Sequence, residues 1–506
     1  MFPKFPKFPK FPKFPLITFH FSLSSVLLFG NLLAKCYLCK QNHGTMIENT
    51  STNKIKDIIA KQRTFFASHQ TLNVSYRLKA LKRLRDAIKM YEEDLTDALY
   101  KDLHKSYEEA FITEISIVLG EIDNFLKNLP RWAAPSKKST PLTLFPSRSA
   151  VITEPLGVAL IIAPWNYPMQ LLLNPLVGAI AAGCTAILKP SPYTPNVAKV
   201  LERIVSSAFE EDYVATVQGN RDVNTALFKE RYDIIFFTGS PELGRVVMRA
   251  AADNLTPVVL ELGGKSPVVV DKSADVALAA KRIAWGKTLN GGQTCIAPDY
   301  LLIHEDVKER FVEEYREALI RLHGEEPKQS KHYVRMVSDR AFERVAGYMT
   351  DGVVRIGGRV DDAERYIEPT LLDEVSPDSP IMREEIFGPI LPMITIRSMA
   401  EAEAFILERE KPLALYIFAK ESEAESLVRN TSSGGCCIND VIMHIANENM
   451  PFGGVGNSGM GRYHGRDSLY AFSHRRAVLR TPTWIDLPFR YMPYRWFGIV
   501  KRLLSK

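Results

Sequence analysis

Apolar residues recur at intervals of three and four from Ile55 to Ser68 and again from Ser75 to Leu99, a spacing that predicts amphipathic helices. A third helical pattern runs from Tyr107 to Lys127, and Pro130 and Pro135 are expected to close that region. The stretch from Lys137 to Ser149, rich in Pro and Ser, gives way to alternating Val151 and Thr153 and reads as a crossing arm or hairpin. The pattern then changes. Short apolar runs at Val158–Ile162, Thr185–Leu188, Tyr213–Val217, Ile234–Phe237 and Val258–Glu261 read as strands. Helical patterns separate them at Leu171–Ala182, Asn196–Ala208, Asn220–Glu230 and Pro241–Ala252. Continuous apolar strands alternating with helices imply a parallel sheet covered on both faces, with right-handed crossovers. Ligands of such sheets bind beyond the carboxyl ends of the strands. A second α/β region follows from about Ser266 to Asn457.

Composition changes this picture only at the N-terminus. With 506 residues, 46% hydrophobic and 24% charged, the chain has the profile of a globular protein of two or three domains. Its net charge of +6 is local: residues 1–45 hold six lysines and no acid, which leaves 58 basic against 58 acidic residues in the body. A neutral body offers nothing to nucleic acid. Residues 2–15 repeat Phe-Pro-Lys, and an apolar run follows from Leu16 to Ala34. The low-complexity repeat, the confined charge and the ordinary amphipathic sequence after Met46 favour reading residues 1–45 as an extension that is not part of the functional protein. A membrane anchor and a cleaved signal are the alternatives. Six cysteines in this length form no disulfide framework and fit a reducing, cytoplasmic compartment. Cys36 and Cys39 have no matching second pair for zinc, and no metal site is expected. Cys184, Cys436 and Cys437 read as small buried hydrophobes.

Candidate chemistry centres on Cys295, in Asn290-Gly291-Gly292-Gln293-Thr294-Cys295-Ile296-Ala297-Pro298, and on Glu261, in Leu260-Glu261-Leu262-Gly263-Gly264-Lys265. A thiol attacks a carbonyl carbon, and a carboxylate activates the water that later releases the product. Thr238-Gly239-Ser240, with Gly244 further on, follows a strand and opens a helix whose free N–H groups suit a phosphate; Ser240 reads equally as a simple N-cap. Asn166, in Pro164-Trp165-Asn166-Tyr167-Pro168, can present an amide N–H to an oxyanion or merely cap a helix. Lys189 ends a strand where a ribose would lie, or is a solvated lysine. Glu385 and Phe387, in Glu384-Glu385-Ile386-Phe387-Gly388-Pro389, can meet ribose hydroxyls and a nicotinamide ring, or form a charged loop with a core Phe. Phe452 sits in the glycine-dense Pro451–Gly459 loop, against substrate or as an anchor.

In this order the six segments closely resemble the aldehyde dehydrogenase superfamily, and most of all its class 3 or fatty aldehyde dehydrogenase branch, over roughly Ile55 to Leu487. The resemblance implies Cys295 as nucleophile, Glu261 as general base and Asn166 as oxyanion donor. It implies pyrophosphate contacts at Thr238, Gly239, Ser240 and Gly244, ribose contacts at Lys189 and Glu385, and Trp165 and Phe387 in the same NAD or NADP site. Tyr167 and Phe452 would line the substrate site. The implied architecture is α/β: a Rossmann-like, doubly wound cofactor domain (46–136 and 153–262), an α/β catalytic domain (263–462) and a small β oligomerisation arm (137–152 and 463–487). A basic amphipathic tail covers 488–506. A homodimer is implied as well. Pro192 stands where many relatives carry a glutamate that repels a 2′-phosphate, which leaves the choice between NAD and NADP open. Glu448-Asn449-Met450 also departs from the class 3 pattern and bears on substrate preference.

The implied reaction oxidises an aldehyde to a carboxylate through a thiohemiacetal and a thioester on Cys295. In the tail, Trp496, Phe497, Ile499, Val500, Leu503 and Leu504 share one helical face, with Arg495, Lys501, Arg502 and Lys506 opposite. Such a helix suits a membrane surface or the mouth of an apolar channel, or docks on the protein or its dimer partner. The expectation is therefore medium- or long-chain aliphatic aldehydes. The alternatives are a soluble semialdehyde or aromatic aldehyde dehydrogenase, and a fold relative without turnover, which the intact Cys295, Glu261 and Asn166 disfavour.

Overall fold

The computed structural model describes residues 47–505 except Leu487 and Arg495. The Phe-Pro-Lys repeat, the apolar run and the Cys36–Cys39 pair lie outside the described residues.

Strands are numbered in chain order. β1 (Ser136–Lys138) and β2 (Arg148–Pro155) form the expected hairpin. β3 (Val158–Ile162), β4 (Thr185–Lys189), β5 (Val214–Thr216), β6 (Ile234–Gly239) and β7 (Val258–Leu262) are the predicted parallel strands. β3 is apolar and buried throughout, and β4 is buried throughout with an apolar centre between Thr185 and Lys189, as strands covered on both faces must be. The later strands are β8 (Pro267–Val270), β9 (Tyr300–His304), β10 (Val353–Ile356), β11 (Val360–Asp361), β12 (Tyr366–Ile367), β13 (Thr370–Asp373), β14 (Ile390–Ile396), β15 (Ala414–Phe418), β16 (Gly435–Ile438), β17 (Gly459–Met460) and β18 (Ser473–Arg480).

These make two main sheets. The first runs β17-β7-β6-β3-β4-β5, parallel apart from β17, which pairs antiparallel with β7 and sets Gly459 opposite Glu261. The second runs β10-β13-β14-β9-β8-β15-β16, parallel apart from β10. A small third sheet adds β18 to the β1–β2 hairpin. Among the described residues no helix is long and apolar enough to cross a membrane.

The helical region departs from expectation twice. The Ser75–Leu99 pattern is two helices, Val74–Met90 and Glu92–Leu103, parted at Tyr91 (φ −104°, ψ 17°). Glu92, Glu93 and Asp94 fill the first turn of the second helix, where its dipole favours negative charge. The third pattern begins at Tyr107, passes through a π-helical turn at Phe111–Ile115 and continues beyond Pro130 to Trp132. Pro130 lies in the last turn, where a lost N–H costs one hydrogen bond and ends the helix two residues later.

Candidate active site

The first sheet delivers its polar residues at one edge. β3 leads into Pro164-Trp165-Asn166-Tyr167 and then the helix Gln170–Ala182. β6 ends on Thr238-Gly239, and Ser240 caps the helix Pro241–Ala252 by accepting the Leu243 N–H at 3.3 Å. β7 ends beside Glu261. Cys295 arrives from the second half of the chain, in the turn before β9. Asn290 (φ 52°), Gly291 (φ 61°) and Gly292 (φ 73°) are all left-handed there, a backbone that glycine adopts without cost. The Asn166 side chain ties the halves together: Nδ2 donates to the Gln293 carbonyl at 3.0 Å. That bond fixes which end of the amide carries the hydrogens.

Two cavities meet at Cys295. The larger, about 760 Å³, is lined by Trp165, Asn166, Thr238, Gly239, Ser240, Glu261, Cys295, Glu385 and Phe387. The other, about 380 Å³, is lined by Cys295, Tyr167 and Phe452 and is largely apolar, with Ile112, Ile117, Trp285, Leu289, Ile442 and Ile445. The Tyr167 hydroxyl bonds Thr294 Oγ1 at 2.6 Å. Phe452 lies between the His444 and His464 rings, at 6.0 and 5.4 Å. Trp165 meets Phe387 edge to face at 5.4 Å.

Two of the expected cofactor residues are not among those lining the larger cavity. Gly244 does not line the larger cavity; a Cβ there would lie 2.8 Å from Leu262 Cδ2, so this glycine serves helix-on-strand packing. Lys189 does not line it either. It is buried, and Nζ donates to the Pro190 carbonyl at 2.8 Å. Gly239 does line the cavity, but the Phe237 ring fills the space of its missing Cβ, with Cζ at 2.6 Å.

Burial dominates the electrostatics. Glu261 is 3% exposed, neither carboxylate oxygen has a hydrogen-bond partner among the described residues, and burial lifts it well above the carboxylate range. Burial first, then the Glu385 and Glu261 charges, raises the Cys295 thiol far above its usual range. Burial pushes Glu385 up to about 8 and Lys189 down to about 8.

The larger cavity fits a nicotinamide dinucleotide. Thr238 Oγ1 and Glu385 Oε1 are buried without partners among the described residues, and the cavity also takes in the N-terminus of the capped helix Pro241–Ala252, where N–H groups suit a phosphate. Sequence reasoning missed Arg344, Arg409 and Lys411 at the same cavity, which lie in no motif. It also missed the buried Lys105–Glu114 pair, because two charges nine residues apart read as a solvated surface. Among the described residues no group of His, Cys, Asp or Glu is arranged to hold a metal ion.

The aldehyde dehydrogenase family model matches residues 37–478. The chain is 46% identical over 446 residues to the 4,4′-diaponeurosporen-aldehyde dehydrogenase of Staphylococcus aureus, covering 88% of this chain and 97% of that one. It is 45% identical over 445 residues to a dimeric, NADP-preferring aldehyde dehydrogenase of Canis lupus familiaris, covering 87% and 98%. Among solved structures, the substrate-bound state of Staphylococcus aureus AldH matches with a TM-score of 0.88 at 44% identity, over 89% of this chain and 99% of that one. An indole-3-acetaldehyde dehydrogenase complexed with NAD+ shares the fold, with a TM-score of 0.79 at 24% identity over 86% and 90%. The chain belongs to the aldehyde dehydrogenase family, oxidoreductases that convert aldehydes to carboxylic acids with NAD or NADP.

Proposed function

We propose that Cys295 is the nucleophile, Glu261 the general base, and Asn166 Nδ2 with the Cys295 N–H the oxyanion donors. One observation carries this reading: Cys295 forms a wall common to a dinucleotide-sized cleft that holds charged and polar side chains and to a smaller apolar cavity. The Cys295 thiolate adds to the aldehyde carbon, and its proton leaves to solvent. The Asn166 amide holds the resulting oxyanion; one such donor is worth about 2.7–4 kcal/mol in the transition state. A nicotinamide bound in the cleft supplies the hydride acceptor. Glu261 in its ionised form takes a proton from the water that opens the thioester, which frees the acid and Cys295. The lack of any fixed partner on the Glu261 carboxylate supports a role in which it must meet a water.

Trp165, Thr238, Gly239, Ser240, Glu385 and Phe387 would hold the cofactor, with Tyr167 and Phe452 along the substrate path. The two sheets support a cofactor domain over 46–136 and 153–262 and a catalytic domain over 263–462. The three-stranded sheet supports an oligomerisation arm over 137–152 and 463–487. The dog relative, described as dimeric, supports a homodimer. Its NADP preference, with Pro192 and a Lys189 that has no acidic partner among the described residues, supports acceptance of NADP.

The apolar cavity favours medium- or long-chain aliphatic aldehydes over semialdehydes. Trp496, Phe497 and Ile499 are exposed on or beside the helix Phe497–Leu504, which supports membrane-surface contact by an otherwise cytoplasmic enzyme. Truncation after Pro488 should then abolish binding to anionic vesicles; unchanged binding refutes the contact. The test of the whole reading is nicotinamide absorbance with hexanal, hexadecanal and benzaldehyde, each with NAD and with NADP. Turnover should be highest with an alkanal and absent in Cys295→Ala. Activity surviving in that variant removes Cys295 as nucleophile.

A further inference from the structure

Lys105 and Glu114 are both fully buried and meet at 2.7 Å, beneath the loop that carries Asn166. An ammonium has three N–H donors, and each of Lys105's has a distinct acceptor. One goes to Glu114 Oε1, one to the Asn166 carbonyl at 3.4 Å, and the third faces the Tyr167 ring, whose centroid lies 4.3 Å away. Glu114 is also fully used: Oε2 accepts the Met169 N–H at 2.9 Å and the Gln170 N–H at 3.3 Å, at the start of the helix that follows Asn166. The Asn166 carbonyl takes a second bond, from Asn290 Nδ2 at 2.9 Å, and Glu109 Oε1 accepts the Asn290 N–H at 2.8 Å. The pair thus grips both backbone flanks of Asn166. Through Tyr167–Thr294 and Asn166–Gln293 it reaches the turn that bears Cys295.

We propose that Lys105, neutralised by Glu114, is a positioning residue that sets the angle of the Asn166 amide toward the oxyanion. This rests on the reading of Asn166 as an oxyanion donor. A planar guanidinium cannot reproduce three divergent donors in this space, so arginine is not an equivalent.

The test compares Lys105→Met, Lys105→Arg, the apolar pair replacement Lys105→Met/Glu114→Leu, Asn166→Ala and Lys105→Met/Asn166→Ala in the full chain. Three rates are read: aldehyde oxidation, hydrolysis of p-nitrophenyl acetate without cofactor, and alkylation of Cys295 by iodoacetamide. The first two pass through an oxyanion, and the third does not. Removing a donor typically costs about 100- to 1,000-fold in kcat, and misaiming one should cost about tenfold or more. Lys105→Met should lower oxidation and ester hydrolysis together and leave alkylation and the cofactor KM within about twofold. Arginine should not rescue. Lys105→Met/Asn166→Ala should be no slower than Asn166→Ala alone, because the two residues act through one bond.

Additive losses in that double variant, or alkylation falling in step with turnover, overturn the proposal. If Lys105→Met does not fold, the apolar pair replacement leaves no unpaired buried charge and answers the same question: it must show the same selective loss, and full ester hydrolysis in it refutes the role. Should Asn166→Ala itself keep both activities, the oxyanion reading fails, and the positioning role with it. Loss in Asn166→Ala but not in the Lys105 variants removes the positioning role alone.

Discussion

Gly263 lies directly against the Glu385 carboxylate, so that a Cβ added at Gly263 would overlap Oε2. The glycine two residues after Glu261 therefore makes room for a second carboxyl in the same cleft. Gly263→Ala should push Glu385 out of place, at a strain of about 1–3 kcal/mol. The expected outcome is a cofactor KM raised about tenfold. In a Glu385→Ala background the same alanine should add little. Equal damage in both backgrounds would mean that Gly263 matters for something other than Glu385.

Cys295 reactivity should depend on what occupies the larger cleft. Burial holds the thiol protonated at neutral pH, and the charges of Glu385 and Glu261 add to this where they ionise. Without cofactor, iodoacetamide alkylation should be slow at pH 7 and still climbing at pH 9, since only the thiolate reacts. A cationic nicotinamide beside the sulfur favours the thiolate, so saturating NAD or NADP should raise the pH 7 rate at least several-fold. Glu385→Gln should speed alkylation chiefly above pH 8, where Glu385 ionises. A rate without cofactor that is already level at pH 7 contradicts this account.

Much of this was legible in the chain, for identifiable reasons. β3 (Val158–Ile162) and the helix Pro241–Ala252 match expectation to the residue. The first is an uninterrupted apolar run, and the second opens with a capping Ser and a first-turn Pro. The break at Tyr91 was not legible, because the apolar period continues through it. Gly239 and Gly244 were expected at the pyrophosphate; the space a Cβ would need is taken at the first by the Phe237 ring and at the second by the Leu262 side chain. A sequence signals that a glycine is needed, not which neighbour needs it. Lys105 and Glu114 carry no signal in the sequence, because only the fold brings their charges together.

Glu121 faces the apolar cavity and accepts the Gly465 N–H at 2.8 Å and the Ser468 hydroxyl at 3.1 Å. Burial lifts its carboxyl from 4.5 to about 7. The folded chain then holds this proton up to about pH 7, while the unfolded chain releases it near 4.5. The stability from this group is fully present below pH 4.5 and lost as pH rises through 7, on the order of 3 kcal/mol in all. Glu121→Gln keeps an acceptor for Gly465 without the charge. Its Tm should match the parent near pH 5 and exceed it by a growing margin toward pH 8. A margin that stays constant with pH would show that Glu121 is not the titrating group.

Lys189 tests cofactor choice. Among the described residues its buried ammonium donates only to the Pro190 carbonyl, and Pro192 brings no carboxylate to the strand end. A 2′-phosphate would supply the missing counter-charge if Nζ swung away from Pro190. A charge-assisted bond is worth about 1.5–3 kcal/mol, or roughly 10- to 100-fold in affinity. Lys189→Ala should therefore raise the KM for NADP by about that factor and change the KM for NAD far less. Pro192→Glu should disfavour NADP by repulsion. Burial holds Lys189 at about 8, so its cation is lost above that pH; the KM for NADP should rise between pH 8 and 10 while that for NAD stays level. If Lys189→Ala shifts both constants equally, the ammonium meets a group the two cofactors share, and the selectivity lies elsewhere in the cleft.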